Sequence, residues 1–462
     1  MIKHLTLGGV SALALLAAVP AFAQDSQSTV TQTGSNGVVT VGQTGSNHLS
    51  TVTQGGNRNE ATVTQSRDSA DSTITQDDGD GDNRNTATVT QAGDSTSVVN
   101  QTSDRNDATV DQTGAGNNSQ LDQGGDGDNV ATVTQDGNDN DSVVAQTGSF
   151  GTADVMQTGS TNMSQIDQGG GINYAYVEQA ESGNTSIVTQ DGVLNLASVE
   201  QTGRNNQSVV DQGGFFNSTG YSATVRGVIQ SGNNNESNIR QRGGFQDALV
   251  EQSGNRNFAD MDQGGAAGGD HIGTIVQGGN NNAATMLQRG TADIGYVDQS
   301  GNSNFAGVDQ GAAAGNDHLA TVDQSGNRNT ALTFQRGDTQ DADVIQSGDV
   351  NFADVQQRGE TQVAFVEQIG NRNTGTVDQG DGMGIDQFAS ITQGGDRNLS
   401  SILQRGDGHD AATIQDGDDN VSTIEQYGAD NSASVAQYSS GNFSTVTQDG
   451  SNLTASVTQG RP

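Results

Sequence analysis

The stretch Gln252-Ser253-Gly254-Asn255-Arg256-Asn257-Phe258-Ala259-Asp260-Met261-Asp262-Gln263 decides the fold. From Asn257 onward, alternate residues are Asn, Ala, Met and Gln, and those between are Phe, Asp and Asp. In a β-strand, residues i, i+2 and i+4 share a face. Amide, small and aliphatic side chains therefore point one way, and Phe and the acids point the other. That alternation is the mark of a half-buried strand. Ser253-Gly254-Asn255-Arg256, with Gly and Asn, supplies a tight turn.

The same register runs along the chain from Gln32 to Gln459: 38 marker glutamines define 37 intervals, 30 of them eleven residues long. Two positions before the marker stands Val, Ile, Leu or Met in 36 of 38 units, Thr333 and Thr413 being the exceptions. Four positions before it stands Ala, Ser or Gly in 36 of 38, with Val39 and Arg226 departing. A net charge of −37 and low hydrophobicity favour disorder, but disorder has no reason to keep a register.

A second period lies inside the first. Insertions follow Gln76, Gln123, Gln212, Gln263, Gln310 and Gln379, all odd-numbered when Gln32 is counted as one. Even-numbered markers from Gln112 to Gln437 all have Asn five residues on. The repeating unit is thus 22 residues: strand, turn, strand, turn. One edge carries uniform tight turns, and the other accepts insertions as exposed loops do. The predicted fold is all-β, a β-solenoid of two-stranded 22-residue rungs built from 11-residue half-repeats, with cross-β-like stacking. Nineteen rungs at ~4.8 Å each would make a rod roughly 90 Å long.

A single strand cannot bury its face alone, so stacking is obligatory. Val52, Ala61, Val63 and Gln65 should face inward, and Thr62 and Thr64 outward. An unpaired buried amide costs about 1–3 kcal/mol. Identical amides stacked along the axis escape that penalty by bonding one another. The expected ladder and core positions are Gln252, Asn257, Ala259, Gln263, Gln324, Asn329, Ala331 and Gln335, with Val297 and Val322.

Residues 1–23 read as a secretory signal peptide. Lys3 and His4 precede the apolar run Leu5 to Val19, and Ala21-Phe22-Ala23 gives a small-x-small cleavage site. The apolar run is too short for a spanning helix, so no membrane insertion is expected. Residues 24–27 form a short N-terminal segment, 28–459 the repeat solenoid and 460–462 a tail, with no dedicated cap expected at either end. Arg242, Arg289, Arg336, Arg358 and Arg405 directly follow marker glutamines. They are expected to offset acids on neighbouring rungs.

The pattern Gln-x-Gly-x-x-Asn-x-Ala, with the next Gln eleven residues after the first, resembles the curlin repeat. It stands here as Gln252 to Ala259 and as Gln324 to Ala331. The resemblance implies a curli-like functional amyloid subunit. Such a subunit is exported through an outer-membrane secretion pore of a Gram-negative-type bacterium and started at the surface by a nucleator subunit. It then polymerises with its own copies into extracellular fibres of the biofilm matrix, where it mediates adhesion and cell aggregation. This chain is far longer than typical members and unusually acidic. The alternative is a monomeric repeat-solenoid adhesin or binding module, with calcium held at acidic insert loops.

For that calcium the weak candidates are Asp78, Asp80 and Asp82, alternating with Gly79 and Gly81, and the pair Asp126 and Asp128. No other cofactor is expected. The absence of Cys removes any thiol nucleophile. His48, His271, His318 and His409 lie in or beside turns, so the chain is read as non-enzymatic. Strong negative charge repels phosphate, which argues against nucleic acid.

Overall fold

The computed structural model describes residues 24–77, 84–219, 227–264, 269–311 and 316–460, which form strands, bridges and turns, with no helix among them. The chain divides into two units, Met1–Asn233 and Asn234–Pro462. Each is a β-solenoid of two parallel sheets.

In the first unit, one sheet is made of strands that end on odd-numbered markers, beginning with Gln27–Gln32, Leu49–Gln54 and Asp71–Gln76. The other begins with Val38–Ser46, Glu60–Asp68 and Thr86–Ala92. Consecutive strands of a sheet are one rung apart and pair in parallel, marker on marker: Gln32 opposite Gln54, Gln135 opposite Gln157. The second unit repeats the plan. Ile275, Val297, Val322 and Val344 form one continuous file, as do Ala306, Ala331 and Ala353.

The pattern enforces this register. A slip of one residue would turn Thr and Asp into the core and Val into water. Val52, Ala61, Val63 and Gln65 are fully buried, while Thr62 is half-buried and Thr64 exposed. Most rungs bury an aliphatic side chain from each sheet, at about 1.5–3 kcal/mol apiece, with Thr333 and Thr413 buried in its place on two of them. A small residue beside each lets the two sheets approach. The core is therefore one side chain deep per face, and its stability comes from repetition.

One expectation is corrected. The insertion after Gln212 does not lie in the turn, because Asn217 takes the buried turn position and its N–H donates to Asn195 Oδ1 at 3.1 Å. The strand itself is split, into Ser218–Thr219 and Val228–Gln230, which pair with Leu196–Ala197 and Val199–Gln201. The small inward position is filled by the buried Thr219, and Arg226 lies outside the described residues. Thr219 keeps the stack intact on one side of the break, and Val228 keeps it on the other.

The turns share one backbone device. The residue four after the marker usually adopts a left-handed conformation, as at Asn205 (φ 54), Asn281 (φ 56) and Arg328 (φ 56). Asn tolerates this region, whereas a β-branched residue there is strained. Val350 sits there with φ 63 and 41% of its surface exposed. Val350→Asn is therefore expected to stabilise the second unit by about 1 kcal/mol. Urea unfolding of the two proteins tests it, and a destabilised variant would mean that Val350 has a packing role.

Candidate functional site

Within the stack the marker Gln amides use both N–H groups, which explains how so polar a core is tolerated. Gln252 Nε2 donates to Gln277 Oε1 on the next rung at 2.8 Å and to the Glu236 carbonyl at 3.0 Å. Gln263 does the same with Gln288 Oε1 and the Asp247 carbonyl, both at 2.9 Å. Gln324 reaches Gln346 at 2.8 Å and the Phe305 carbonyl at 3.0 Å. Gln335 reaches Gln357 at 3.0 Å and the Leu319 carbonyl at 2.8 Å. One N–H runs along the axis and the other crosses the corner to the opposite sheet, so each Gln ties rung to rung and sheet to sheet.

The Asn after the even-numbered markers from Gln112 to Gln437 builds a second file. Asn257 Oδ1 accepts the Asn282 backbone N–H at 2.9 Å, and its Nδ2 donates to the Gly279 carbonyl at 2.8 Å. Asn329 is bonded likewise to Asn351 N–H and to the Gly348 carbonyl, at 2.9 and 2.7 Å. The glycine two after the marker is required by this stack. A Cβ on Gly254 would lie 1.6 Å from the Gly279 carbonyl oxygen. Ala259 and Ala331 are buried in the small-residue file, and Val297 and Val322 are neighbours in the aliphatic one. On the odd-numbered sheet of the first unit that small file is serine. The hydroxyls of Ser50, Ser72, Ser97, Ser119, Ser142, Ser164, Ser186 and Ser208 have no partner among the described residues. These serines fit by size, not by hydrogen bonding.

Sequence reading missed two further files. An exposed one runs amide to amide through Asn255, Asn280, Asn302 and Asn327 and ends on the Asp349 carboxylate, each link 2.9–3.0 Å. The other is on the insert-bearing edge of the second unit, where Gln246, His271, Asp293, His318, Gln340, Gln362, Gln387 and His409 replace Asn as buried residues. Histidine substitutes for Asn atom by atom. The Asn431 N–H donates to His409 Nδ1 at 3.3 Å, and His409 Nε2 faces the Arg405 carbonyl at 2.9 Å. That bonding assigns the neutral tautomer with its proton on Nε2. His48 repeats it with the Ala70 N–H at 3.2 Å and the Thr44 carbonyl at 3.0 Å.

In the centre of that file Asp293 lies between two histidines. Its N–H donates to His271 Nδ1 at 3.3 Å, and its carboxylate accepts the His318 N–H at 3.4 Å and the Gly290 N–H at 3.0 Å. All three side chains are buried. Burial pushes the Asp293 carboxyl up to about 6 and pulls both imidazoles down to about 4.

The arginines after marker glutamines clamp outward acids, and at Asp309 and Asp378 the clamp reaches from the rung on each side. Asp309 is held by Arg289 from one side and Arg336 from the other, at 2.7 and 2.6 Å. Asp378 is held by Arg358 and by Arg405, the latter at 2.6 Å. Asp262 receives Arg242 at 2.6 Å and Arg240 at 3.4 Å. Arg336 also lies 3.7 Å over the ring of Phe334, which lines a groove together with Gly307 and Leu332. Among the described residues the opposite sheet has no such clamp at Asp298 and Asp323, which stack directly. Burial, then the charge of Asp298, raises the Asp323 carboxyl.

Of the calcium candidates, Asp78, Asp80 and Asp82 lie outside the described residues. Asp128 is bound by Arg105 at 2.6 Å, and that hydrogen bond lowers its carboxyl pKa. Among the described residues no group of three or more His, Cys, Asp or Glu is placed to hold a metal ion. Nor is any helix among them long and apolar enough to cross a membrane.

Comparison with protein families matches the Curlin associated repeat eight times, at residues 227–265, 279–311, 291–326, 315–348, 326–355, 348–380, 410–438 and 428–460. No curated protein matches the chain.

Proposed function

We propose that this chain, which belongs to the curlin-repeat family, is an exported, non-enzymatic subunit that adds copies of itself rung on rung into extracellular curli-like fibres. Curlin repeats on a β-solenoid fit a curli-like subunit. The observation that carries the finer reading is the sameness of the rungs. Nearly every rung presents Gln, aliphatic, small and amide side chains in one register, so a rung of another copy fits as well as the chain's own. Thr454–Gln459 pairs with Ser432–Gln437 and, among the described residues, with no other strand. Its inward Ala455, Val457 and Gln459 are half-exposed, unlike their buried counterparts within the stack. An unpaired strand edge in a stack of this kind is in general a template for another chain.

In this reading residues 1–23 direct export, a nucleator subunit starts growth, an outer-membrane pore passes the chain, and the fibres serve adhesion in a biofilm matrix. The test follows purified residues 24–462 by thioflavin-type fluorescence and electron microscopy at pH 8 and pH 5, with and without added salt. Fibres are expected, growing faster in acid and in salt. Stacked acids such as Asp298 and Asp323 repel, and assembly adds contacts of that kind, so protonation or screening relieves them. Growth indifferent to both would mean that the arginine clamps already neutralise the surface. No fibres under any condition would replace this reading with the monomeric binding module.

A further inference from the structure

On the insert-bearing edge of the first unit, the position four after the marker holds Phe150, Ile172, Leu194 and Phe216 on consecutive rungs. Their N–H groups donate to the Gly127, Ser149, Gly171 and Val193 carbonyls one rung away, at 3.2, 2.8, 3.0 and 3.1 Å. They therefore stack in a file at the rung spacing of ~4.8 Å. Phe150 is 57% exposed, Ile172 52% and Leu194 37%, and the neighbouring Val193 is 43% exposed. Phe215 and Phe216 continue the file, packed edge to face at 6.1 Å.

Two features set this file apart. Its residues occupy the left-handed backbone region, with φ of 55, 57, 61 and 55, where bulky residues are disfavoured. The other edge of the same unit places Asn47, Asp139 and Asn205 there. The surface is also nearly free of charge. Across the four turns Thr147–Gly151, Gly169–Asn173, Asp191–Asn195 and Gly213–Asn217, only Asp191 is charged. On the two rungs before, the same position holds Arg105 and Asp128, bonded to each other.

We propose that this apolar ridge is the side-by-side contact between two copies of the chain. A net charge of −37 makes most of the surface repel a second copy, and the ridge is where that repulsion is absent. A second copy also carries the matching period. Side chains spaced by one rung on one ridge fall between those of the other along the whole file, which a partner of different fold does not reproduce. This contact uses a turn edge, so it is separate from end-to-end addition through strand edges. One ridge is a small, weak interface, and fibres that carry one ridge per subunit multiply it.

The chain has no Cys, so a single introduced thiol reports its own neighbours. Under mild oxidation Leu194→Cys is expected to form cross-linked dimers at least roughly tenfold faster than Asn205→Cys, an exposed left-handed position on the other edge. The triple variant Phe150→Asn, Ile172→Asn and Leu194→Asn suits the backbone better. By sedimentation it should pair at least roughly tenfold more weakly, with an unchanged circular dichroism spectrum. Its fibres should grow at the parent rate and lie singly. Equal cross-linking of the two cysteine variants, or unchanged sedimentation of the triple variant, overturns the ridge. If parent and triple variant both fail to elongate, the fibre reading fails, and the cross-linking comparison still decides the ridge.

Discussion

Val297→Asp is expected to break the ordered stack of the second unit, whereas Asp298→Ala, one residue on, leaves it standing. Val297 is fully buried in a file between Ile275 and Val322. The polar side chains run in their own columns at the Gln and Asn positions, apart from that file. A carboxylate there is an uncompensated buried charge, which costs about 3–5 kcal/mol. Neighbouring rungs supply most of each rung's stability. One ruined rung therefore also removes pairing from those on either side, and unfolding should split into two steps. Asp298 is only half-buried, and its carboxylate accepts the Tyr296 hydroxyl at 3.3 Å. Its loss removes that bond and also removes repulsion from Asp323. The net change should stay within about 0.5 kcal/mol. Far-ultraviolet circular dichroism during urea unfolding measures both variants, and equal damage from the two would mean the inward and outward faces are wrongly assigned.

The contrast rests on a face assignment that was legible before any coordinates, because a strand's period of two needs only the residues themselves. The 22-residue rung was legible for a similar reason: insertions and Asn fall on alternate units. What could not be read depends on which rungs touch. Arg289 and Arg336 hold one Asp309 between them, yet they belong to rungs on either side of it. That these arginines offset acids on neighbouring rungs follows from their place after the marker Gln; that two of them share one carboxylate is seen only in the three-dimensional register. The buried histidines were read as turn residues because they sit where turns occur in sequence. Their replacement of Asn, seen in the backbone N–H donated to His409 Nδ1, requires the stacked geometry. The split strand around Thr219 was misread because counting back from Gln230 assumes that the extra residues lie in a turn. The apolar ridge carries no pattern within one repeat. Phe150, Ile172 and Leu194 are ordinary residues until they are seen one above another.

The histidine file makes stability depend on pH with opposite signs at adjacent positions. His271 and His318 are pulled down to about 4 by burial, against an unfolded value near 6.5. The unfolded chain thus binds more protons between those values, and stability falls as pH drops from about 6.5 toward 4. Protonation would also place N–H at Nδ1 of His271, facing the Asp293 N–H that donates to it. Asp293 has the reverse sign. Burial raises its carboxyl to about 6, so the folded chain binds the proton more readily, and stability rises as pH falls through 6 toward the unfolded value. Asp270 beside His271, and Asp317, Asp338 and Arg336 around His318, modulate these values without reversing them. Asn is the residue used at this place in the opposite turns, so His271→Asn with His318→Asn keeps the acceptor for the next rung's N–H. That double variant should match the parent at pH 8 within about 1 kcal/mol and exceed it by roughly 4 kcal/mol at pH 5, about 2 for each imidazole. Asp293→Asn should show the opposite trend, with a gain of about 3 kcal/mol at pH 8 that shrinks by roughly half at pH 5. Urea unfolding at pH 8, 6.5 and 5 distinguishes the two slopes. If both variants run parallel to the parent across that range, the buried His–Asp–His file does not titrate as its burial requires, and the acid response of the chain must come from its outward carboxylates alone.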